Sequence, residues 1–342
     1  MSSSKILIAP DSFKECLSSP EVAAVLAAAV RERRPDAEVV ECPLADGGEG
    51  TLDVLARALG AEIRETIVAD PLGRPVPARY GVAGETAVLE VAQACGIPLL
   101  TQEERNPMVA HTQGVGELLL EGYGKGCRHF IVGLGGTVTC DGGAGMLSVP
   151  GVKAALRGCT VDLLCDVDTP FLGPQGAVRV FAPQKGAQMK DLDMLEERMT
   201  EVADHIRQET GTDVSYLKGA GAAGGLAGAL MAYSNARYLP GAQFVMELTG
   251  FDAALQGACL IITGEGKSDA QTLLGKVPCA VLRQARGIPV ALLSGKIENR
   301  PALEQAGFHP IIEVSPRHLP LPEALQKDCV TANLQRAVGS FL

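Results

Sequence analysis

Four apolar runs in this chain end in clusters of residues suited to a polyanion. The run 6–10 leads into Asp11, Ser12 and Lys14, and the run 39–44 leads into Asp46, Gly47, Gly48, Glu49, Gly50 and Thr51. The run 130–133 leads into Gly135, Gly136, Thr137, Thr139 and Asp141. The run 260–263 leads into Glu265, Gly266, Lys267, Ser268 and Asp269, with Gln271, Thr272 and Lys276 close behind. Glycines let backbone N–H groups approach a phosphate closely, and a following helix N-terminus favours negative charge. Carboxylates at the same place would repel a bare phosphate. They fit if Mg²⁺ lies between the two, because that ion takes a few carboxylates plus phosphate oxygens and water. Each cluster alone has a plainer reading. Gly-Gly pairs turn the chain, and Asp11 caps the helix beginning near Ser19 or a turn before it. Asp141 caps the helix opened by "GGAGML", and Lys14 and Lys276 are solvated surface lysines. Four such ends in one chain favour a phosphate site.

The elements that must position these residues are short runs rich in Ile, Val and Leu: 5–10, 37–44, 129–136, 161–167, 259–266, 289–295 and 310–315. Continuous apolar runs of that length suit strands covered on both faces, as in parallel sheets. Ligands of open α/β sheets bind just beyond the carboxyl ends of such strands. Helical patterns lie between several of them. The segment 19–35 starts with Ser19 as N-cap and Pro20 at the first helical position, and it ends in basic residues before Pro35. "GEGTLDVLARALG" and "TLLGKVPCAVLRQARG" read as further crossover helices. The segment 62–91 holds three short strands joined by "PLGR" and "GE", connections that favour antiparallel hairpins. The fold class expected is α/β, with a Rossmann-like or flavodoxin-like parallel-sheet domain and a second, inserted mixed α/β domain. The first domain takes residues 1–62 and 257–342, and the inserted one takes 63–256.

Composition narrows the function. The chain has 342 residues, 46% hydrophobic and 20% charged, with 40 glycines and no Trp, enough for a large core in two domains. Its net charge of -10 and the absence of any Lys/Arg cluster argue against nucleic acid. The ten cysteines include no Cys-x-x-Cys pair and read as buried reduced thiols of a cytoplasmic protein. No signal peptide is evident, and no stretch reaches the ~18 apolar residues of a membrane span. There is no Walker A loop and no serine nucleophile elbow. Gly219, Gly221 and Gly224 satisfy G-x-G-x-x-G, but no convincing strand precedes them and no acidic residue follows at the dinucleotide offset. Close helix packing or a phosphate-cradling turn explains them better. The five histidines are scattered, without zinc-ligand spacing.

Eight segments together carry a resemblance: "ILIAPDSFKECLSSPEVA", "PLADGGEGTLDVL", "RNPMVAHTQGVGELL", "GLGGTVTCDGGAGM", "CDVDTPFLGPQGA", "FAPQKGA", "GAGAAGGLAGAL" and "ITGEGKSDAQTLLGKVP". In this order, from residue 6 to about 280, they resemble the signature segments of the type I glycerate kinases. The resemblance implies ATP-dependent phosphorylation of D-glycerate with Mg²⁺, usually to 2-phosphoglycerate, in a monomer or homodimer whose partners are small molecules. It carries over Asp11, Ser12, Lys14, Asp46, Gly48, Glu49, Arg105, Asn106, Gly135, Gly136 and Asp141. It also carries over Asp166, Asp168, Gln184, Lys185, Glu265, Asp269 and Lys276.

Chemistry assigns roles to these positions. Asp46, Glu265 and Asp269 are the candidate metal ligands, and Lys14 and Lys276 offset charge on the transferring phosphoryl group. Asp11 or Asp46 accepts the glycerate hydroxyl proton. Arg105 suits the glycerate carboxylate, with Asn106 beside it. Ser12, Gly48, Gly135, Gly136, Thr137, Asp141, Lys185 and Gly266 complete the expected substrate and phosphate contacts. The chain departs from the family at Thr169, Cys140 and Ser268. It also lacks some tens of residues between "GGAGM" and "CDVD", so a helix and a strand or two of the inserted domain are expected to be missing. A kinase or Mg²⁺-dependent phosphatase for another hydroxy acid, or a silent ligand-binding homologue, are the rival readings.

Overall fold

A computed structural model describes residues 4–14, 16–316 and 319–342. The chain forms two compact units. The first takes residues 1–46, 53–58 and 242–342, and the second takes 47–52 and 59–241.

The first unit is built on five strands in the order β11-β10-β9-β1-β2, all parallel. They are β1 (Lys5–Ile8), β2 (Glu38–Glu41), β9 (Ala258–Ser268), β10 (Val290–Ile297) and β11 (Ile311–Glu313). Ile6, Leu7, Ile8, Ile261, Ile262 and Leu292 are all but fully buried, which is why these strands read as continuous apolar runs. Helix Ser19–Arg33 lays Val22, Leu26 and Val30 on this core at helical spacing, beside Val330, Leu334 and Val338 of helix Lys327–Gly339. Each such side chain contributes about 1.5–3 kcal/mol on full burial. The N-cap is Ser18, one residue before the expected Ser19. The Glu21 N–H donates to its Oγ, and its own N–H donates back to Glu21 Oε2 at 2.7 Å. Ser19 Oγ instead donates to the Pro10 carbonyl at 2.8 Å. That bond ties the helix start to the loop carrying Asp11, Ser12 and Lys14.

The return to the first unit at Ala242 comes earlier than the boundary expected near residue 256. Helices Gly241–Leu248 and Phe251–Leu255 fasten there through Thr249, whose Oγ1 lies 3.6 Å from Cys42 Sγ, and through an Asp252–Arg286 pair.

The second unit carries six strands in the order β3-β4-β5-β6-β7-β8. They are β3 (Glu62–Ala69), β4 (Pro75–Ala83), β5 (Thr86–Glu90), β6 (His129–Gly133), β7 (Thr160–Leu164) and β8 (Asn235–Leu239). The first three are antiparallel and the remaining pairings are parallel. In the tight "PLGR" turn, Asp70 accepts the N–H groups of Leu72 and Arg74 at 2.8 Å and the Arg74 side chain at 2.6 Å. Across the shortened segment, β6 reaches β7 through helices Ala144–Ser148 and Val152–Arg157.

The Gly219–Gly224 match belongs to packing. A Cβ at Gly221 would lie 2.9 Å from the Pro170 carbonyl carbon, and one at Gly224 would lie 2.8 Å from Cys140 Cα. All ten cysteines are free thiols. Among the described residues no helix is long and apolar enough to cross a membrane.

Candidate active site

In the first unit, the loop after β1 is pinned to the middle of β9, which runs on through Glu265 to Ser268. The Asp11 N–H donates to the Gly264 carbonyl at 2.8 Å, and Thr263 Oγ1 donates to the Ala9 carbonyl at 2.7 Å. Asp11, Ser12 and Glu265 are each at least 95% buried. Burial, and then repulsion from Asp46, pushes the Asp11 carboxyl well above its ordinary 3.8, against the pull of the Ser12 N–H and Lys14. Burial likewise raises Glu265, opposed first by Lys276 and assisted by the Asp46 charge. Glu265 Oε1 accepts from Ser268 Oγ at 3.0 Å and Thr272 Oγ1 at 2.6 Å, while Oε2 faces Lys276 Nζ at 3.5 Å. Ser12 Oγ is buried without a hydrogen-bond partner, a costly arrangement unless a ligand completes it. Asp11, Asp46 and Glu265 thus form one acidic group, with Lys14 and Lys276 as its cations.

Asp269 is held differently. Its Oδ1 accepts the Gln271 N–H at 2.8 Å, capping the short helix Ala270–Leu274, and its Oδ2 lies 3.4 Å from Lys267 Nζ. Among the described residues, no three His, Cys, Asp or Glu side chains are gathered in advance as a metal site. Of the expected trio, Asp269 caps this helix, while Asp11 stands beside Asp46 and Glu265.

In the second unit, the expected glycines serve close packing. Gly47 has φ +94°, and a Cβ on it would lie 2.5 Å from the Leu164 carbonyl oxygen. A Cβ on Gly135 would lie 2.6 Å from Gly48 Cα. Gly135 also donates its N–H to the Gly47 carbonyl at 3.0 Å. Gly136 supplies a positive φ of 75°, and its carbonyl accepts the Ile97 N–H. Beyond this turn, Lys185 is 96% buried. Its Nζ donates to Thr137 Oγ1 at 3.0 Å and the Thr139 carbonyl at 2.7 Å, both neutral. Burial lowers its pKa from 10.5, with Cys140, Cys95 and Asp141 pulling the other way. Thr139 Oγ1 and Arg105 Nε are buried without partners. Arg105 lies against Gly186, where an added Cβ would fall 3.3 Å from the Arg105 Cβ. Among the described residues no carboxylate is hydrogen-bonded to Lys185, and Arg105 packs beside it at Gly186.

Comparison with known proteins decides the family. The model of the "Glycerate kinase family" matches residues 6–155 and 148–341. This chain belongs to the glycerate kinase family. The two matched stretches overlap at residues 148–155, within the shortened segment. A glycerate kinase of Bacillus subtilis (strain 168) is 38% identical, covering 94% of this chain and 93% of the relative. A glycerate 2-kinase of Escherichia coli (strain K12) is 37% identical, covering 86% and 85%. The crystal structure of a glycerate kinase 2 from Salmonella typhimurium LT2 superposes with TM-score 0.82 at 34% identity, covering 99% of this chain and 97% of that one.

Several residues carried over from the glycerate kinases hold the fold. Asp141 accepts four donors: the Thr112 N–H and Oγ1 at 2.9 Å each, the Gly143 N–H at 3.1 Å and the Gly145 N–H at 3.0 Å. With both oxygens so engaged, it is a joint between two loops. Asn106 Oδ1 accepts the Met108 N–H in its own turn, and Asp166 accepts the Gly241 N–H. Asp168 pairs with Lys218 on the surface, and Glu49 and Gln184 are exposed. Sequence reasoning missed Glu90. It is 96% buried at the end of β5, and its Oε1 accepts the Leu52 N–H in the first turn of helix Thr51–Leu59. The only sequence signal was an acidic residue ending an apolar strand.

Asp141→Ala tests the joint. It leaves four donors without their charged acceptor, so the unfolding free energy should fall by about 3 kcal/mol. Urea titration should show a lower midpoint at unchanged slope, with substrate KM values preserved in the folded fraction.

Proposed function

We propose that this chain transfers the terminal phosphoryl group of ATP to D-glycerate, with 2-phosphoglycerate the favoured product. The observation that carries the reading is the acidic group of buried Asp11 and Glu265 with half-buried Asp46, flanked by Lys14 and Lys276 on a parallel sheet, in a chain of this family. Phosphoryl transfer needs positioning and charge neutralisation more than covalent chemistry.

A divalent cation fits this group. Three carboxyl groups face two lysines, and a bound cation would relieve the burial and repulsion that raise Asp11 and Glu265; Mg²⁺ takes one or two carboxylates together with phosphate oxygens. Magnesium would supply charge neutralisation at the terminal phosphates, held by Asp46 and Glu265. Asp11, buried and raised toward the range of a working base, accepts the glycerate hydroxyl proton as that oxygen bonds to phosphorus and the P–O bond to ADP breaks. Lys14 and Lys276 balance charge on the transferring group. Within the second unit, Lys185 and Arg105 suit the carboxylate of a small hydroxy acid, and Thr137, already bound to Lys185, orients the ammonium. The free thiols support a cytoplasmic setting.

A coupled assay tests the reading. ADP release should require D-glycerate and stop on addition of EDTA, with excess Mg²⁺ restoring it, and phosphorus NMR should show the ester on C2. Turnover with a different hydroxy acid alone would correct the substrate. Binding of both ligands without ADP release would mark a silent homologue.

A further inference from the structure

The geometry points to a nucleoside subsite inside the first unit: a 690 Å³ cavity against the carboxyl-terminal halves of β9 and β10, beside β11 and the loop after β1, which we propose takes the adenine and ribose of ATP. This inference rests on the kinase reading and adds the location and chemistry of the nucleoside contact. Glycerate, a three-carbon acid, would leave most of such a space empty. The volume falls within the roughly 300–1,000 Å³ common for larger organic ligands. Its walls are mainly apolar, with Phe13, Ile297, Leu319, Leu325 and Val330 among them, as a flat heteroaromatic ring prefers.

The floor is bare backbone. Gly295 and Gly266 both line the cavity, and neither presents a side chain to it. A ring can therefore approach the strands closely. Glu298 and Glu313 also line the cavity and supply carboxylate acceptors for ribose hydroxyls. Charge gives the orientation. Lys14 and Gly266 line the cavity. Lys14 also acts on Asp11, and Gly266 follows Glu265 directly. A nucleoside seated here directs its phosphates toward the acidic group and its cation.

Photolabelling of the full chain with 8-azido-ATP tests this. Label should appear in peptides carrying Phe13, Ile297 or Val330, and excess ATP should suppress it. Label confined to residues 59–241, or label that ATP does not suppress, overturns the subsite. Ser315→Phe gives a second readout, because Ser315 lines the cavity with its Oγ 3.6 Å from the position of a Gly295 Cβ. The aromatic ring should raise KM for ATP roughly tenfold or more and leave KM for glycerate within about twofold. An unchanged KM for ATP, or equal shifts in both constants, counts against the subsite. Suppressible label in the cavity of a chain that phosphorylates nothing would sink the kinase reading and keep the nucleotide site. Turnover with label elsewhere would do the reverse.

Discussion

Asp11→Asn should lower kcat with D-glycerate by ~10²–10⁴-fold while leaving the dissociation constant for ATP within a few-fold. The amide keeps the shape of the carboxyl and an oxygen for the Ser12 N–H, which Asp11 Oδ1 accepts at 2.7 Å. What it loses is the ability to take a proton. The substitution also removes one of three mutually repelling acids, so the variant should be no less stable than the parent. Rapid-quench measurement of one turnover reads the chemical step directly. Asp46→Asn should differ, because a metal-holding group affects nucleotide affinity as well: its loss should raise the Mg²⁺ concentration needed for half-maximal rate. Full turnover in Asp11→Asn would remove Asp11 as the base. Loss of Mg²⁺ response in that variant, with none in Asp46→Asn, would exchange their roles.

Lys185→Met should reduce kcat/KM for glycerate by about 10²-fold or more, the effect of removing one partner from a buried charge pair. Most of the loss should appear in KM. Stability should change little: relief of a desolvated ammonium offsets two lost hydrogen bonds, one each to Thr137 and Thr139. A pH series sharpens this. The folded chain holds the Lys185 pKa below 10.5, so the unfolded chain binds more protons between the two values. Stability attributable to this residue therefore rises with pH across that window, and the difference from the Met variant should drift in the same direction. Glycerate affinity should move oppositely, weakening as the ammonium deprotonates at a pH lower than an exposed lysine would require. The groups facing Nζ are Thr137, Thr139, Cys95, Cys140 and Asp141, with the Phe181 ring 5.9 Å away. A large drop in thermal midpoint together with an unchanged glycerate KM would make Lys185 a structural residue.

Strand positions were legible because parallel strands covered on both faces cannot hide their composition. β1, β6, β7, β9 and β10 announce themselves through Ile/Val/Leu-rich stretches; Asp11 follows the end of β1 by three residues, and Glu265 lies inside β9, three residues before its end. β8 escaped for the opposite reason. As the last strand of its sheet, "NARYL" is exposed or only half-buried, so its polar residues break the pattern. The first-turn residue Ser19 passed for a cap because both 18 and 19 are serine, and only the Pro10 carbonyl distinguishes them. Asp141 shows a harder limit. Its main partner Thr112 lies 29 residues away, and no local spacing states that a carboxylate already has four donors. Gly47 and Gly135 likewise look like phosphate-cradling turns until the Leu164 carbonyl and Gly48 Cα are seen against them. Burial of Lys185 is equally invisible in sequence, where a lysine reads as solvated.

One feature of the first sheet bears on how the protein is made. β1 is an interior strand whose neighbour β9 begins at Ala258, so Ile6, Leu7 and Ile8 leave the ribosome some 250 residues before one of their two ladders exists. At roughly 5–20 residues per second, translation alone imposes a delay on the order of ten seconds or more. During that interval the nascent chain carries an apolar strand with an open edge, a target for chaperones and a hazard on crowded polysomes.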